Sequence, residues 1–276
     1  MEKKIKMIGF DLDGTLLTRD KRITDFTRKT LEQAIAEGVV VLPATGRPIS
    51  GVPEELLTFP GIRYAVTANG ARVADLKKGC NVYECLVSAE KVRKILDICR
   101  EYDTLIEIYY DGTGYIDIEK ARRADRYVWD SEMVRYLLNT RLQIHDIHEK
   151  AEKENRDMDK VQAFFACMNE REAAWERLEK IGGLAISESQ GNNLEINAEG
   201  VHKGRALIRL GELLGIKREE IMAFGDEAND IEMLKSVGVG VAMANASQEV
   251  KSAADCLTAS NGEDGVARFI QSHVLG

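Results

Sequence analysis

Four short stretches hold the residues able to do chemistry. The densest is Asp11-Leu-Asp-Gly-Thr-Leu-Leu17, which follows the largely apolar run Ile5–Phe10 directly. Two carboxylates two residues apart, with Gly14 permitting a tight turn, can converge on one point just past a strand. One then suits a nucleophile or metal ligand and the other a general acid/base. A calcium loop begins similarly, but the bidentate Glu it needs at its twelfth position is Arg22 here. The second stretch is Ala44-Thr45-Gly46-Arg47-Pro48, where a hydroxyl and a backbone N–H could hold phosphoryl oxygens. Taken alone, it reads more simply as an ordinary turn between strand and helix. The third is Lys203, whose position at the start of a predicted helix opposes the helix dipole and so favours a charge-neutralising role. The fourth is Phe224-Gly-Asp-Glu-Ala-Asn-Asp230. It sets Asp226 at a strand end and Asp230 four residues on, and hard oxygen donors of this kind suit Mg²⁺.

Such residues need a scaffold that brings them to one edge. The first 70 residues alternate strand and helix. Ile5–Phe10, Val39–Leu42 and Tyr64–Thr67 are predicted strands, Thr24–Glu37 is a helix ended by Gly38, and Ile49–Leu57 is a shorter helix. The last 80 residues repeat the pattern. Helices are predicted over Lys203–Leu214, Asp230–Ser236, Ser247–Ala254 and Gly262–Ser272, and strands over Ile221–Phe224, Gly238–Met243 and Cys256–Thr258. Alternation of this kind implies an α/β fold, a Rossmann-like parallel sheet with helices on both faces. Ligands of such sheets bind at the carboxyl ends of the strands, where Asp11, Thr45 and Asp226 fall.

The middle of the chain is patterned differently. Ser88–Tyr102 is a long amphipathic helix, Leu105–Tyr110 and Tyr115–Ile118 form a hairpin around Asp111-Gly-Thr-Gly114, and Val161–Met168, Glu170–Ile181 and Leu184–Ser189 add strand, helix and strand. This α+β pattern predicts an inserted domain over 83–192, with the core divided between 1–82 and 193–276. The charge-rich stretch Glu149–Lys160 reads as a solvated linker or helix face. His145-Asp-Ile-His148 offers two imidazoles at helical spacing with no third ligand nearby, so it reads as surface.

Composition excludes other classes. The 276 residues carry a net charge of −8, with 6% aromatic residues, which disfavours nucleic-acid and anionic-membrane partners. The insert holds 17 basic and 23 acidic residues, so most of the negative charge lies there. No apolar run approaches the roughly 20 residues of a spanning helix. The five scattered cysteines include no CxxC pair, so the expectation is a cytoplasmic protein with reduced thiols.

In combination and in order, the four stretches resemble the haloacid dehalogenase superfamily of phosphohydrolases. Thr67-Ala-Asn-Gly-Ala71, Leu194-Glu-Ile196, Asp230-Ile-Glu-Met-Leu234, Gly240-Val-Ala-Met-Ala-Asn-Ala246 and Glu263-Asp-Gly-Val-Ala267 are similar to the Cof-type subgroup (subclass IIB), which carries a large α/β cap between its second and third motifs. The resemblance spans the whole chain and is weakest in the cap. His202 before the motif lysine and Ala244 in place of a frequent glycine depart from the pattern, and neither touches the catalytic set.

The resemblance implies a Mg²⁺-dependent phosphatase acting through an aspartyl-phosphate. Asp11 would be the nucleophile and Asp13 the general acid/base. Thr45, Gly46 and Asn229 would hold phosphoryl oxygens, and Lys203 would neutralise charge. The metal set would be Asp11, Asp13, Asp226 and Asp230, with Asp13 acting through its carbonyl and Asp230 through metal waters or Lys203. The acidic cap argues for a small phosphorylated metabolite, a sugar phosphate or phosphorylated cofactor. Arg47 from the core loop, and Arg122, Arg123 and Arg126 from the cap, are candidates for its second polar group, although a solvated helix face explains the cap arginines more simply. A phosphomutase or phosphotransferase of the same superfamily, or a non-catalytic phosphometabolite sensor, are the alternatives.

Overall fold

The computed structural model describes residues 4–276. From the N-terminal side the elements are β1 (Met7–Phe10), α1 (Asp25–Ala36), β2 (Val40–Pro43), α2 (Glu54–Leu57), β3 (Tyr64–Thr67), β4 (Arg72–Asp75) and β5 (Cys80–Glu84). There follow α3 (Ala89–Cys99), β6 (Thr104–Tyr110), β7 (Thr113–Asp117), α4 (Ile118–Ala121), α5 (Ser131–Thr140), β8 (Leu142–Ile144), α6 (Ile147–Glu154), β9 (Lys160–Phe165), α7 (Met168–Glu179), β10 (Leu184–Ser187) and β11 (Asn193–Ala198). The chain ends with α8 (Lys203–Leu214), β12 (Ile221–Gly225), α9 (Ile231–Ser236), β13 (Val239–Ala242), α10 (Gln248–Ala253), β14 (Cys256–Leu257) and α11 (Gly265–Ile270). These elements sort into two compact units. The core unit comprises the chain up to Gly46, Val52–Glu84 and His202–Gly276; the cap unit comprises Arg47–Gly51 and Cys85–Val201.

The core unit is built on a five-stranded parallel sheet in the order β14-β13-β12-β1-β2. β1 and β12 run side by side, with Phe10 opposite Phe224. All four residues of β1 are buried, as a strand covered on both faces requires. α8 packs against the sheet through Ala206, Leu207 and Leu210, which join Met7, Leu42, Ile221 and Ala223 in one apolar cluster. Truncating a fully buried leucine such as Leu207 would cost about 2–5 kcal/mol. The helix starts where the His202 Nδ1 accepts from the Arg205 N–H at 3.2 Å, and it stops at Gly215, whose φ is 70°. A second, antiparallel sheet of β3, β4 and β5 adjoins β2 through a bridge between Ala44 and Val66.

The cap unit has one six-stranded sheet in the order β10-β11-β9-β6-β7-β8. Its pairs are antiparallel except β7 with β8. One face of the sheet is apolar: Ile106, Ile108, Val161, Ala163, Leu194 and Ile196 pack with Val92, Ile95 and Leu96 of α3, Ile147 of α6 and Leu178 of α7.

One expectation changes and two hold. The sequence places residues from 193 onward in the core, but β11 is an inner strand of the cap sheet, with Glu195 opposite Gln162 on one side and Ile196 opposite Ile186 on the other. The bend at 189–192, where Gly191 has φ 73°, only turns β10 back onto β11 within the cap sheet, and the chain leaves that sheet at the Glu199-Gly200 turn, where Gly200 has φ 71°. The charge-rich stretch from Glu149 divides between the end of α6 and a short connection to β9. α6 starts where the Asp146 carboxylate accepts from the His148 and Glu149 N–H groups, so the His145–His148 stretch serves as a helix start.

Candidate active site

The site begins where β1 and β12 end. The Asp11 N–H donates to the Phe224 carbonyl at 3.0 Å, so the first strand's ladder continues into Asp11 before the chain turns. Gly14 makes that turn with φ 78°, and a Cβ there would lie 2.0 Å from Asp226 Oδ2. The turn can therefore approach Asp226 this closely only because residue 14 has no side chain. The Thr15 hydroxyl donates to Asp226 Oδ1 at 2.6 Å. Asn245 donates to both the Gly14 carbonyl at 2.9 Å and Asp226 Oδ2 at 3.2 Å.

Lys203 is fully buried at the first position of α8. Its Nζ lies 2.7 Å from Asp11 Oδ1 and 2.7 Å from Asp230 Oδ1. The other Asp230 oxygen accepts from the Asp226 and Glu227 N–H groups at 3.0 and 3.2 Å. Asp230 thus ties the turn after β12 to the lysine. Asp11, Asp226 and Asp230 are buried together, with a ligand atom of each within 4.8 Å of the others. The Asp13 carboxylate is engaged elsewhere, 2.5 Å from the Nζ of half-exposed Lys21.

The electrostatics follow from burial. Burial pushes the Asp11 carboxyl up to about 7; Asp230 and Asp13 add repulsion, and Lys203 pulls the other way. Asp226 is pushed up to about 8, again chiefly by burial and then by Asp11 and Asp230. Burial opposes the Lys203 charge, yet Asp11 and Asp230 outweigh it and hold its pKa above the ordinary lysine value. Three buried carboxylates facing one ammonium leave uncompensated negative charge among hard oxygen donors. That donor set fits a divalent cation of the Mg²⁺ type.

Thr45 follows β2 and is buried; its N–H donates to Val66 and its carbonyl accepts from the Asn69 N–H at 3.0 Å. Asn69 is left-handed, with φ 61°, and its Oδ1 accepts from the Asn229 side-chain amide at 3.3 Å. Thr45 and Asn229 are therefore linked through Asn69. Asn229 Oδ1 is buried and has no hydrogen-bond partner among the described residues.

The structure places three of the candidate arginines among partners of their own unit. Arg47 follows a core strand in sequence but belongs to the cap unit. Its guanidinium stacks 4.3 Å from the centre of the Tyr136 ring and donates to the Gly51 carbonyl, because a planar cation gains more from an aromatic face than from a solvated loop. Arg122 pairs with Glu119 on an exposed helix face and Arg126 with Asp103 beside Tyr127, in keeping with the simpler expectation of solvated surface residues. Sequence reasoning missed Thr15, Asn245 and Lys21 as contributors to the site. Thr15 lies inside the first motif and was legible there, whereas the position of Lys21 depends on a loop with no sequence signature.

A family model of haloacid dehalogenase-like hydrolases matches residues 8–270. The chain belongs to this family. It is 32% identical to the 5-amino-6-(5-phospho-D-ribitylamino)uracil phosphatase YcsE of Bacillus subtilis, over 98% of this chain and 96% of that protein. It is 31% identical to the phosphatase YwpJ of the same organism, over 98% and 100%. Among solved structures, a haloacid dehalogenase-like hydrolase from B. subtilis superposes with a TM-score of 0.85 at 28% identity, over 97% of this chain and 99% of that one. A subclass IIB sugar phosphatase superposes at 0.81 and 26% identity, over 97% and 98%. This haloacid dehalogenase-like hydrolase is accordingly a phosphatase of small phosphate monoesters, of the Cof-type subgroup. No helix among its described residues is long and apolar enough to cross a membrane.

Proposed function

We propose that the protein is a Mg²⁺-dependent phosphatase that forms an aspartyl-phosphate on Asp11 and acts on a sugar phosphate or phosphorylated cofactor. The observation that carries this reading is Lys203, buried 2.7 Å from both Asp11 and Asp230 in a cluster of three aspartates. Surface charge alone does not call for such an arrangement; a nucleophile that must meet a phosphate dianion does.

An Asp11 carboxylate oxygen would attack phosphorus as the ester P–O bond breaks, and Asp13 would give its proton to the departing alkoxide. Asp13, now ionised, would take a proton from water. The water oxygen then attacks phosphorus, releasing inorganic phosphate and restoring Asp11. Thr45, the Gly46 N–H and Asn229 would hold the phosphoryl oxygens. Lys203 would favour the ionised form of Asp11 against burial and orient it, and Asp230 would hold Lys203. Asp11, Asp226 and the Asp13 carbonyl would hold Mg²⁺, which, when bound, neutralises charge between carboxylate and phosphate. The substrate class is supported by the names of the relatives, one acting on a phosphoribitylamino-uracil and one on sugar phosphates.

The test is acid-quenched enzyme exposed to substrate labelled in its phosphate. Label should stay on the Asp11 peptide, and Asp11→Asn should lose both the label and phosphate release. If Asp11→Asn keeps more than a few per cent of wild-type release, Asp11 is not the nucleophile. A chelator should stop turnover and Mg²⁺ restore it.

A further inference from the structure

Between β3 and β4 the core unit turns a corner that is costly to make. Ala68, Asn69 and Gly70 take φ values of 49°, 61° and 102°, three left-handed residues in a row. Glycine does this freely and asparagine more readily than most residues. Ala68 has no polar side chain to offset the strain, and both Ala68 and Asn69 are buried. Backbone strain of this kind persists only where the surroundings over-determine it.

The corner touches the second, third and fourth motif stretches, all within the core unit. The Asn69 N–H donates to the Thr45 carbonyl at 3.0 Å. A Cβ on Gly70 would lie 2.6 Å from the His202 carbonyl oxygen and 3.2 Å from the Lys203 backbone nitrogen, so the corner packs directly against the start of α8. Asn69 Oδ1 accepts from Asn229 Nδ2 at 3.3 Å. That last contact orients a two-ended group, because an amide side chain offers hydrogens at one end and lone pairs at the other. Turned half round, Asn229 would set its own oxygen against the Asn69 oxygen. The amide keeps its orientation although this leaves Asn229 Oδ1 buried with no hydrogen-bond partner among the described residues, so the Asn69 contact outweighs that cost. Asn69 thus holds Asn229 by its nitrogen, which has a second hydrogen to donate.

We propose that Asn69 is a positioning residue for phosphoryl transfer, fixing the nitrogen end of the Asn229 amide toward the phosphoryl group and in register with Thr45. This rests on the phosphatase reading above, in which Thr45 and Asn229 hold phosphoryl oxygens. Those oxygens accept hydrogen bonds, so an Asn229 amide that turned would present lone pairs to an anion and oppose its binding. The strained corner is what lets one residue reach both groups, through its backbone N–H on one side and its side chain on the other.

The experiment is a double-mutant cycle, read as phosphate release from a phosphate monoester that the wild type hydrolyses. Asn69→Gly keeps the left-handed backbone and its N–H but removes the oxygen. Its circular dichroism and melting temperature should stay close to wild type, while kcat/KM falls at least tenfold and inhibition by inorganic phosphate weakens at least threefold. Asn69→Ala removes the same oxygen and adds backbone strain, so it should melt lower yet show the same kinetic loss. In an Asn229→Ala background, Asn69→Gly should change kcat/KM less than twofold, because no amide is left to orient. A kinetic loss that follows melting temperature rather than the missing oxygen, an unchanged kcat/KM in Asn69→Gly, or a full tenfold loss in the Asn229→Ala background overturns the proposal. If the wild type releases phosphate from no member of a panel of phosphate monoesters, the phosphatase reading itself has failed and this one falls with it.

Discussion

Asp11 and Asp226 make the chelated protein's stability depend on pH in an unusual direction. Most paired carboxylates stabilise a fold as they ionise. Here burial raises Asp11 from its ordinary 3.8 to about 7, and Asp226 to about 8. The folded state therefore binds more protons than the unfolded chain between about pH 4 and pH 8. Stability must fall as pH rises through that window and level off above it. Lys203, held above its ordinary value, stays charged throughout and adds no slope. His202, pushed down by burial, adds a slope of opposite sign near pH 6.5. One carboxyl moved from 3.8 to about 7 takes roughly 4 kcal/mol from the core unit by pH 8, at about 1.4 kcal/mol per pH unit. The two carboxyls repel each other, so their contributions do not simply add. At about 2–4 °C per kcal/mol, the melting temperature in chelator should drop by roughly 10 °C between pH 5.5 and pH 8. Mg²⁺ bound as proposed would compete with these protons, so its stabilisation should grow with pH, reaching about 2.7 kcal/mol at a hundred times its Kd. Asp226→Asn removes one repelling charge and leaves His202 in place, so its slope should be shallower. Scanning calorimetry across pH with chelator or Mg²⁺ measures all three. A melting temperature that is flat or rising in chelator, an equal Mg²⁺ effect at both ends, or an unchanged slope in Asp226→Asn would refute the reasoning.

Other outcomes follow from single contacts. Gly14→Ala places a Cβ 2.0 Å from Asp226 Oδ2 at a φ of 78°. It should cost about 1–2 kcal/mol of stability and raise the Mg²⁺ concentration for half-maximal activity at least tenfold; a Mg²⁺ titration identical to wild type would mean that Asp226 is not a ligand. Asp13→Asn should slow alkyl phosphates far more than an aryl phosphate whose leaving group needs no proton, and equal slowing of both would remove Asp13 as the acid. Lys203→Met strands Asp11 and Asp230. It should lower kcat at least a hundredfold and destabilise the core unit by about 3–5 kcal/mol, read by denaturant titration.

Legibility in the sequence tracked how local the controlling physics is. β1, β2, β3 and β12 were visible because each is a short buried run that ends at a turn or polar motif. α8 was visible because its apolar residues repeat at helical spacing up to Gly215. The hairpin of β4 and β5 was not, since its strands alternate weakly and Cys80, Asn81 and Glu84 are exposed. α5 was also missed: a single fully buried residue, Leu137, leaves little periodic signal. β11 was assigned to the wrong unit because strand character is local but strand partnership is not. Asn193–Ala198 reads as extended in either sheet, and only its pairing with β9 and β10 decides which one it joins.

The sequence by itself determined the family, the alternation of the core and the order in which acid, hydroxyl, lysine and acid groups arrive at the sheet edge. These depend on residue type and spacing along one strand or turn. Tertiary structure decided which of those groups meet. It put one ammonium between two aspartates, tied Asp13 to Lys21 and sent Arg47 to the cap unit's Tyr136. It also buried Glu107 Oε1 with no hydrogen-bond partner among the described residues. The reason is physical. Burial and pairing partner set the charge state and free valence of a polar group, and both are properties of packing between segments distant along the chain.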